Sequence, residues 1–170
     1  MSRFSAKNAA VVGLWFALML LRQAAGQQLA VTARRLDNGL TILVVEKRST
    51  PIVAVHVWYR VGSQHDQEGA AGLAHLFEHL MFRGSAHYGS EEHHRLIAEL
   101  GGTTNAYTFF DRTVYHQRLP SQGLELALEL EADRMGRLQL TQATFDTERQ
   151  VVMEELRGYE DDPFFELVAR

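Results

Sequence analysis

Residues 72–84 read GLAHLFEHLMFRG, and the spacing within this run predicts a helix of unusual character. Three polar side chains, His75, Glu78 and His79, interrupt an otherwise apolar sequence. Positions i, i+3 and i+4 of a helix fall on one face, so these three groups converge on a single patch. The apolar residues surround that patch. A functional site on this helix is therefore expected.

The patch has the composition of a zinc site. Two imidazoles one turn apart on a helix can bind the same ion, and zinc prefers imidazole nitrogen and carboxylate oxygen. The glutamate directly precedes the second histidine, which is the inverted H-x-x-E-H order of some metallopeptidases. In such sites zinc activates a water molecule and the neighbouring carboxylate accepts a proton. The alternative is a helix whose half-buried histidines pair with carboxylates. Structural or surface roles are expected for the remaining histidines, His56, His65, His87, His93, His94 and His116.

A zinc site on two histidines requires a third protein ligand. The last predicted helix, over residues 141–159, offers three glutamates, Glu148, Glu154 and Glu155. Glu148 and Glu155 are seven residues apart and share one stripe, whereas Glu154 lies about 100° away around the helix. Spacing gives only a modest preference for Glu155 over Glu154. An acidic, solvated helix face is the alternative.

The composition indicates a globular domain and excludes several kinds of site. Of the 170 residues, 46% are hydrophobic and 22% charged, which is typical of one globular domain. The chain has no cysteine, which excludes disulfides, thiolate zinc sites and cysteine nucleophiles. The formal net charge is −4, and no basic cluster is present, so nucleic-acid binding is not expected.

The first 26 residues have the pattern of a secretory signal peptide. Arg3 and Lys7 precede an apolar run over residues 9–21, and small residues over 24–26 supply a cleavage site. Cleavage before Gln27 predicts an exported protein, periplasmic or secreted, with residues 27–170 as the folded domain. Removal of this segment, with its three basic and no acidic residues, takes the net charge to −7. An uncleaved membrane anchor is the alternative.

The remaining chain predicts an α+β fold. Apolar arms around Asp37-Asn38-Gly39 indicate a hairpin, and residues 52–61 alternate as a strand. Helices are expected over about 70–82 and 90–100, then a second hairpin over 103–110 and 113–119, and two more helices from Pro120 and Thr141. This order predicts a largely antiparallel sheet with helices packed on one face. The apolar run at 164–170 stops abruptly, so a C-terminally incomplete domain is expected.

The residues also resemble a known family, the inverzincin metallopeptidases of the insulinase, pitrilysin and mitochondrial processing peptidase type. The resemblance rests on four segments in the family's order and spacing: RRLDNGLTILV, GLAHLFEHLMFRGS, ELGGTTNAYT and ERQVVMEELRGYEDDP. The similarity runs from the first of these segments through the last, over nearly all of residues 31–163.

The resemblance implies a role for each matching residue. His75, His79 and Glu155 would bind one zinc ion per chain, and Glu78 would act as general base. Glu148 would support the site from behind its ligands. Asn105, Ala106 and Tyr107 would lie on an edge strand that holds a peptide or an unfolded polypeptide substrate by β-augmentation.

The resemblance further implies a zinc-dependent endopeptidase whose chamber is completed by a C-terminal half or by a partner subunit. Two alternatives stay open from the sequence. The chain could be a non-catalytic peptide-binding or partner subunit of a heterodimeric peptidase, since the family includes halves without zinc residues. It could also be a zinc hydrolase acting on a non-peptide substrate, although the TTNAYT strand favours peptides.

Overall fold

The computed structural model describes residues 29–160, which form two compact units divided after Ser49. The predicted signal peptide and the apolar run at 164–170 lie outside the described residues. Among the helices of the described part, none is both long and apolar enough to cross a membrane.

The first unit is a β-hairpin. Strand β1 (Val31–Arg35) pairs antiparallel with β2 (Thr41–Val45). Gly39 closes the turn with a φ of +90°, which glycine adopts without strain. The Asn38 side-chain oxygen accepts the Leu40 N–H at 3.1 Å. The hairpin and its turn, both predicted from the sequence, are confirmed.

The second unit contains a three-stranded antiparallel sheet. It consists of β3 (Ile52–Tyr59), β4 (Thr103–Thr108) and β5 (Thr113–Pro120), in the order β3-β5-β4. The central strand β5 is mostly buried because it has a neighbour on each side. Strand β4 pairs with β5 alone among the described strands, so its other edge carries no described neighbour.

Four helices follow or interleave these strands. They are α1 (Leu73–Leu80), α2 (Glu92–Glu99), α3 (Leu124–Arg137) and α4 (Gln142–Glu160). Single 3₁₀ turns cover Ser63–His65 and Ser121–Gly123. Ile97, Leu119, Ala127 and Leu130 form the core where α2 and α3 meet β5. The predicted fold class, an α+β layer built on an antiparallel sheet, is confirmed.

Helix α1 is shorter than the 70–82 that its apolar pattern predicts. Gly69 and Gly72 have positive φ angles, +82° and +88°, so the chain can turn into the helix only after Gly72. Asp66 then caps the first turn, because its carboxylate accepts the N–H groups of Gly72 at 2.8 Å and Ala74 at 2.9 Å. The start of α1 is therefore held by a loop residue six positions before Gly72.

Candidate metal centre

The two histidines of α1 lie on a different side of the helix from its buried residues. Ala74, Leu76 and Leu80 are buried, whereas His75 and His79 are half-buried. Their imidazoles meet edge to face, with ring centroids 4.8 Å apart and Nε2 atoms 3.3 Å apart. The packing of α1 through its apolar face thus presents both nitrogens side by side.

Helix α4 brings a carboxylate to these nitrogens. Glu155 Oε2 lies 3.5 Å from His75 Nε2 and 3.6 Å from His79 Nε2. The three ligand atoms form a triangle with edges of 3.3, 3.5 and 3.6 Å. Within residues 29–160, no other group of three His, Cys, Asp or Glu side chains lies close enough to hold a metal ion.

The triangle fits a zinc ion. Ligands about 2.0–2.1 Å from a tetrahedral zinc are about 3.3–3.4 Å from one another. The observed edges are within a few tenths of an ångström of that spacing. Two imidazoles and one carboxylate are also the donor set of several catalytic zinc sites, which leave a fourth position open.

Glu148 lies behind the centre and contacts His79. This carboxylate is almost fully buried, and its Oε2 accepts a hydrogen bond from His79 Nδ1 at 3.3 Å. A carboxylate can only accept, so the contact assigns the proton to Nδ1 and leaves the Nε2 lone pair free for a metal. Arg83 offsets the buried charge, with Nε 2.7 Å from Glu148 Oε1 and Nη2 donating to Oε2 at 3.2 Å.

Glu154 points elsewhere. Its carboxylate pairs with Arg157 at 2.7 Å on an exposed part of α4. The structure therefore brings Glu155, and not Glu154, to the two histidines.

Glu78 lies on the same helix face, next to the candidate metal centre. Its Oε2 accepts a hydrogen bond of 2.5 Å from the Thr108 hydroxyl at the end of β4. The strand residues Asn105, Ala106 and Tyr107 precede Thr108 on this edge strand. The predicted general base and the predicted peptide-binding strand are thus joined by a direct contact.

Sequence reasoning missed two residues of this site. Arg83 lies within the quoted run, three residues beyond the end of α1, so its closeness to the histidines in sequence could have drawn attention to it. Thr108 carried no signal, because its contact with Glu78 depends on how α1 packs against β4.

A second polar cluster lies deeper in the unit, between β5 and α3. We call Gln117, Glu131 and Arg134 the buried ion-pair cluster. Glu131 accepts hydrogen bonds from Gln117 and from two nitrogens of Arg134, one of them at 2.9 Å. The Arg134 guanidinium also lies 4.2 Å from the centre of the Tyr115 ring. Its Nη1 has no hydrogen-bond partner in the described structure.

Histidines outside α1 have structural surroundings. Burial, together with the nearby positive charge of Arg134, lowers the pKa of His93 to about 3. His87 pairs with the buried Asp133 at 2.7 Å, and His56 stacks on His116 across β3 and β5. None of these contacts involves His75 or His79.

Comparison with known proteins places the chain in a family. The protein-family model described as "Insulinase (Peptidase family M16)" matches residues 41–170 of this chain. The zinc protease PqqE of Helicobacter pylori is 38% identical over 128 residues, which are 75% of this chain and 29% of that protein. The chain belongs to the insulinase family of zinc metallopeptidases, as its motifs predicted.

Solved structures agree with this assignment. A crystal structure of a protease from Helicobacter pylori matches with a TM-score of 0.79 and 36% identity, over 82% of this chain and 34% of that one. Pitrilysin matches with a TM-score of 0.71 and 29% identity, over 78% of this chain and 14% of its own. The chain thus spans about a third or less of the relatives' length, and family membership describes the fold and the class of chemistry.

Proposed function

We propose that the protein is an exported zinc-dependent endopeptidase and that residues 27–170 contain its zinc site. The observation that carries the proposal is the triangle formed by His75, His79 and Glu155, with Glu78 beside it on the same helix face. Its edges match the spacing of ligands around a tetrahedral zinc ion.

Each residue has a defined task in this proposal. His75, His79 and Glu155 would hold one zinc ion per chain, which would supply Lewis acidity at this site when bound. Glu78 accepts the proton from the attacking water and passes it to the leaving amine. Glu148 keeps the proton of His79 on Nδ1, so that Nε2 stays available for the metal.

The substrate is proposed to be a peptide or an unfolded polypeptide. Strand β4 has no described neighbour on its outer edge, and an extended peptide can add there as a further strand. Asn105, Ala106 and Tyr107 lie on this edge immediately before Thr108, whose hydroxyl contacts Glu78. A peptide paired along β4 would therefore run toward the general base.

A C-terminal half or a partner subunit is proposed to complete the chamber. The matched relatives are about three times longer than the aligned region, which supports a contribution from further domains. The alternatives are a non-catalytic peptide-binding or partner subunit of a heterodimeric peptidase, and a zinc hydrolase that acts on a non-peptide substrate.

The decisive experiment separates metal binding from proton transfer in the whole protein. Glu78→Gln keeps the shape of the side chain but removes its basicity, so zinc should be retained while peptide hydrolysis falls about 10²–10⁴-fold. His75→Ala is the matched variant, which should lose both zinc and hydrolysis. Zinc content and hydrolysis of a fluorogenic peptide are measured on both variants.

Two results would contradict the proposal. Wild-type hydrolysis in Glu78→Gln removes the general-base role. Full zinc content without peptide hydrolysis in the wild type favours a binding subunit or a non-peptide substrate.

Export is proposed from residues 1–26 alone. A basic start, an apolar run and small residues before Gln27 support cleavage at that position. N-terminal sequencing of protein from its native host should begin at Gln27. An intact Met1 would instead favour a membrane anchor.

A further inference from the structure

Three contacts near Glu78 define where the hydroxyl protons of Thr108 and Thr113 point. Thr113 Oγ1 donates to the Val61 carbonyl at 2.9 Å, and a carbonyl oxygen can only accept. The single hydroxyl proton of Thr113 is therefore used, and Thr113 has no proton left for Thr108, 3.3 Å away. The proton of Thr108 remains for Glu78 Oε2, to which its hydroxyl donates at 2.5 Å.

The frame that holds Thr108 is rigid. Thr108 and Thr113 face each other as the last register pair of the β4–β5 ladder. Next to Val61, Gly62 packs so closely on the neighbouring turn that an added Cβ would be 2.0 Å from the Phe109 carbonyl oxygen. The Ser63 N–H donates to that same oxygen at 3.0 Å. The ends of β3, β4 and β5 are thereby fastened together around Thr108.

We infer that Thr108 is a positioning residue that holds the Glu78 carboxylate in its working orientation. The inference deepens the proposed function and rests on it, because it assumes that Glu78 is the general base. Thr108 contacts Glu78 and none of the proposed zinc ligands, so it acts on proton transfer and not on metal binding. Since Thr108 is also the last residue of β4, it aligns the general base with a peptide bound along that strand.

The test compares three variants of the whole protein. Thr108→Val removes the hydroxyl at nearly constant volume and should lower kcat about 10–100-fold, the usual effect of losing a supporting hydrogen bond. KM and zinc content should stay close to the wild type, because the lost hydroxyl donates to Glu78 and to none of the proposed zinc ligands. Thr108→Ser restores the hydroxyl and should restore most of the rate.

Thr104→Val is the matched control. Thr104 lies on the same strand and the same face as Thr108, but its hydroxyl has no hydrogen-bond partner in the described structure. Its replacement should leave kcat unchanged. An equal loss of kcat in Thr104→Val and Thr108→Val would overturn the inference, since the effect would then belong to the strand and not to the contact.

A second measurement does not depend on hydrolysis. In crystal structures of the metal-free protein, Glu78 should take one orientation in the wild type and Thr108→Ser, and several in Thr108→Val. A single wild-type orientation in Thr108→Val overturns the inference. If Glu78→Gln abolishes hydrolysis while Thr108→Val does not, the positioning role alone fails; if Glu78→Gln is fully active, the proposed function itself fails.

Discussion

The candidate metal centre and the buried ion-pair cluster are built from similar side chains but differ in how completely their carboxylates are hydrogen-bonded. In the buried ion-pair cluster, Glu131 is 5% exposed and accepts hydrogen bonds from Gln117 and Arg134. In the metal centre, Glu155 is 40% exposed and faces two imidazoles, and the spacing between all three leaves room for an ion. A buried carboxylate whose oxygens accept several hydrogen bonds stabilises a fold. A carboxylate that faces two imidazoles without such bonds remains available to bind a ligand.

The largest expected effect is a loss of stability that leaves metal binding unchanged. Glu131→Ala leaves the buried Arg134 without its counter-ion and should lower the free energy of unfolding by about 3–5 kcal/mol. Zinc content of the folded fraction should not change. Urea unfolding of the metal-free protein and zinc analysis of the folded protein measure the two quantities.

Glu155→Ala is the matched control and should lose zinc while its stability stays nearly unchanged. Because Glu155 is well exposed, its loss should change the stability of the metal-free protein by less than about 0.5 kcal/mol. Zinc content should fall sharply. Similar stability losses in Glu131→Ala and Glu155→Ala would remove the distinction between the two clusters.

A smaller effect concerns pH and the surroundings of the buried ion-pair cluster. His93 lies near Arg134, His94 and Gln117, and its folded-state pKa of about 3 is below the ordinary value of 6.5. Below pH 6.5 the unfolded chain binds a proton that the folded chain does not, so stability falls as the pH falls from 6.5 toward 3. Between pH 6.5 and 4.5 this loss is at most about 2.7 kcal/mol.

His93→Gln should flatten that part of the pH dependence, since glutamine does not titrate. Unfolding free energies of the wild type and the variant, measured across pH 4.5–7.5, provide the comparison. Identical slopes in the two proteins would show that His93 is protonated equally in both states.

The smallest expected effect is at Glu154. Its ion pair with Arg157 is solvent-exposed, so Glu154→Gln should cost less than about 1 kcal/mol of stability and leave zinc content unchanged. Glu155→Gln, one residue away, should release zinc. The reverse ranking would move the ligand to Glu154 and require α4 to rotate by about 100°.

The sequence by itself determined what short-range geometry controls. His75, Glu78 and His79 share a helix face because their spacing matches the helical repeat. Asp37-Asn38-Gly39 forms its turn because Gly39 can adopt a positive φ. The motif segments, and with them the family, were likewise readable from the order of residues.

Tertiary structure decided the contacts between elements distant in sequence. Helix spacing left Glu154 and Glu155 nearly equivalent, and only the packing of α4 against α1 brings Glu155 to the imidazoles. The same packing buries Glu148 between His79 and Arg83. The contact of Thr108 with Glu78 spans 30 residues and depends on a few ångströms of helix placement over the sheet. Local spacing specifies which face a residue occupies, but the packing of one element on another sets the distance between two faces.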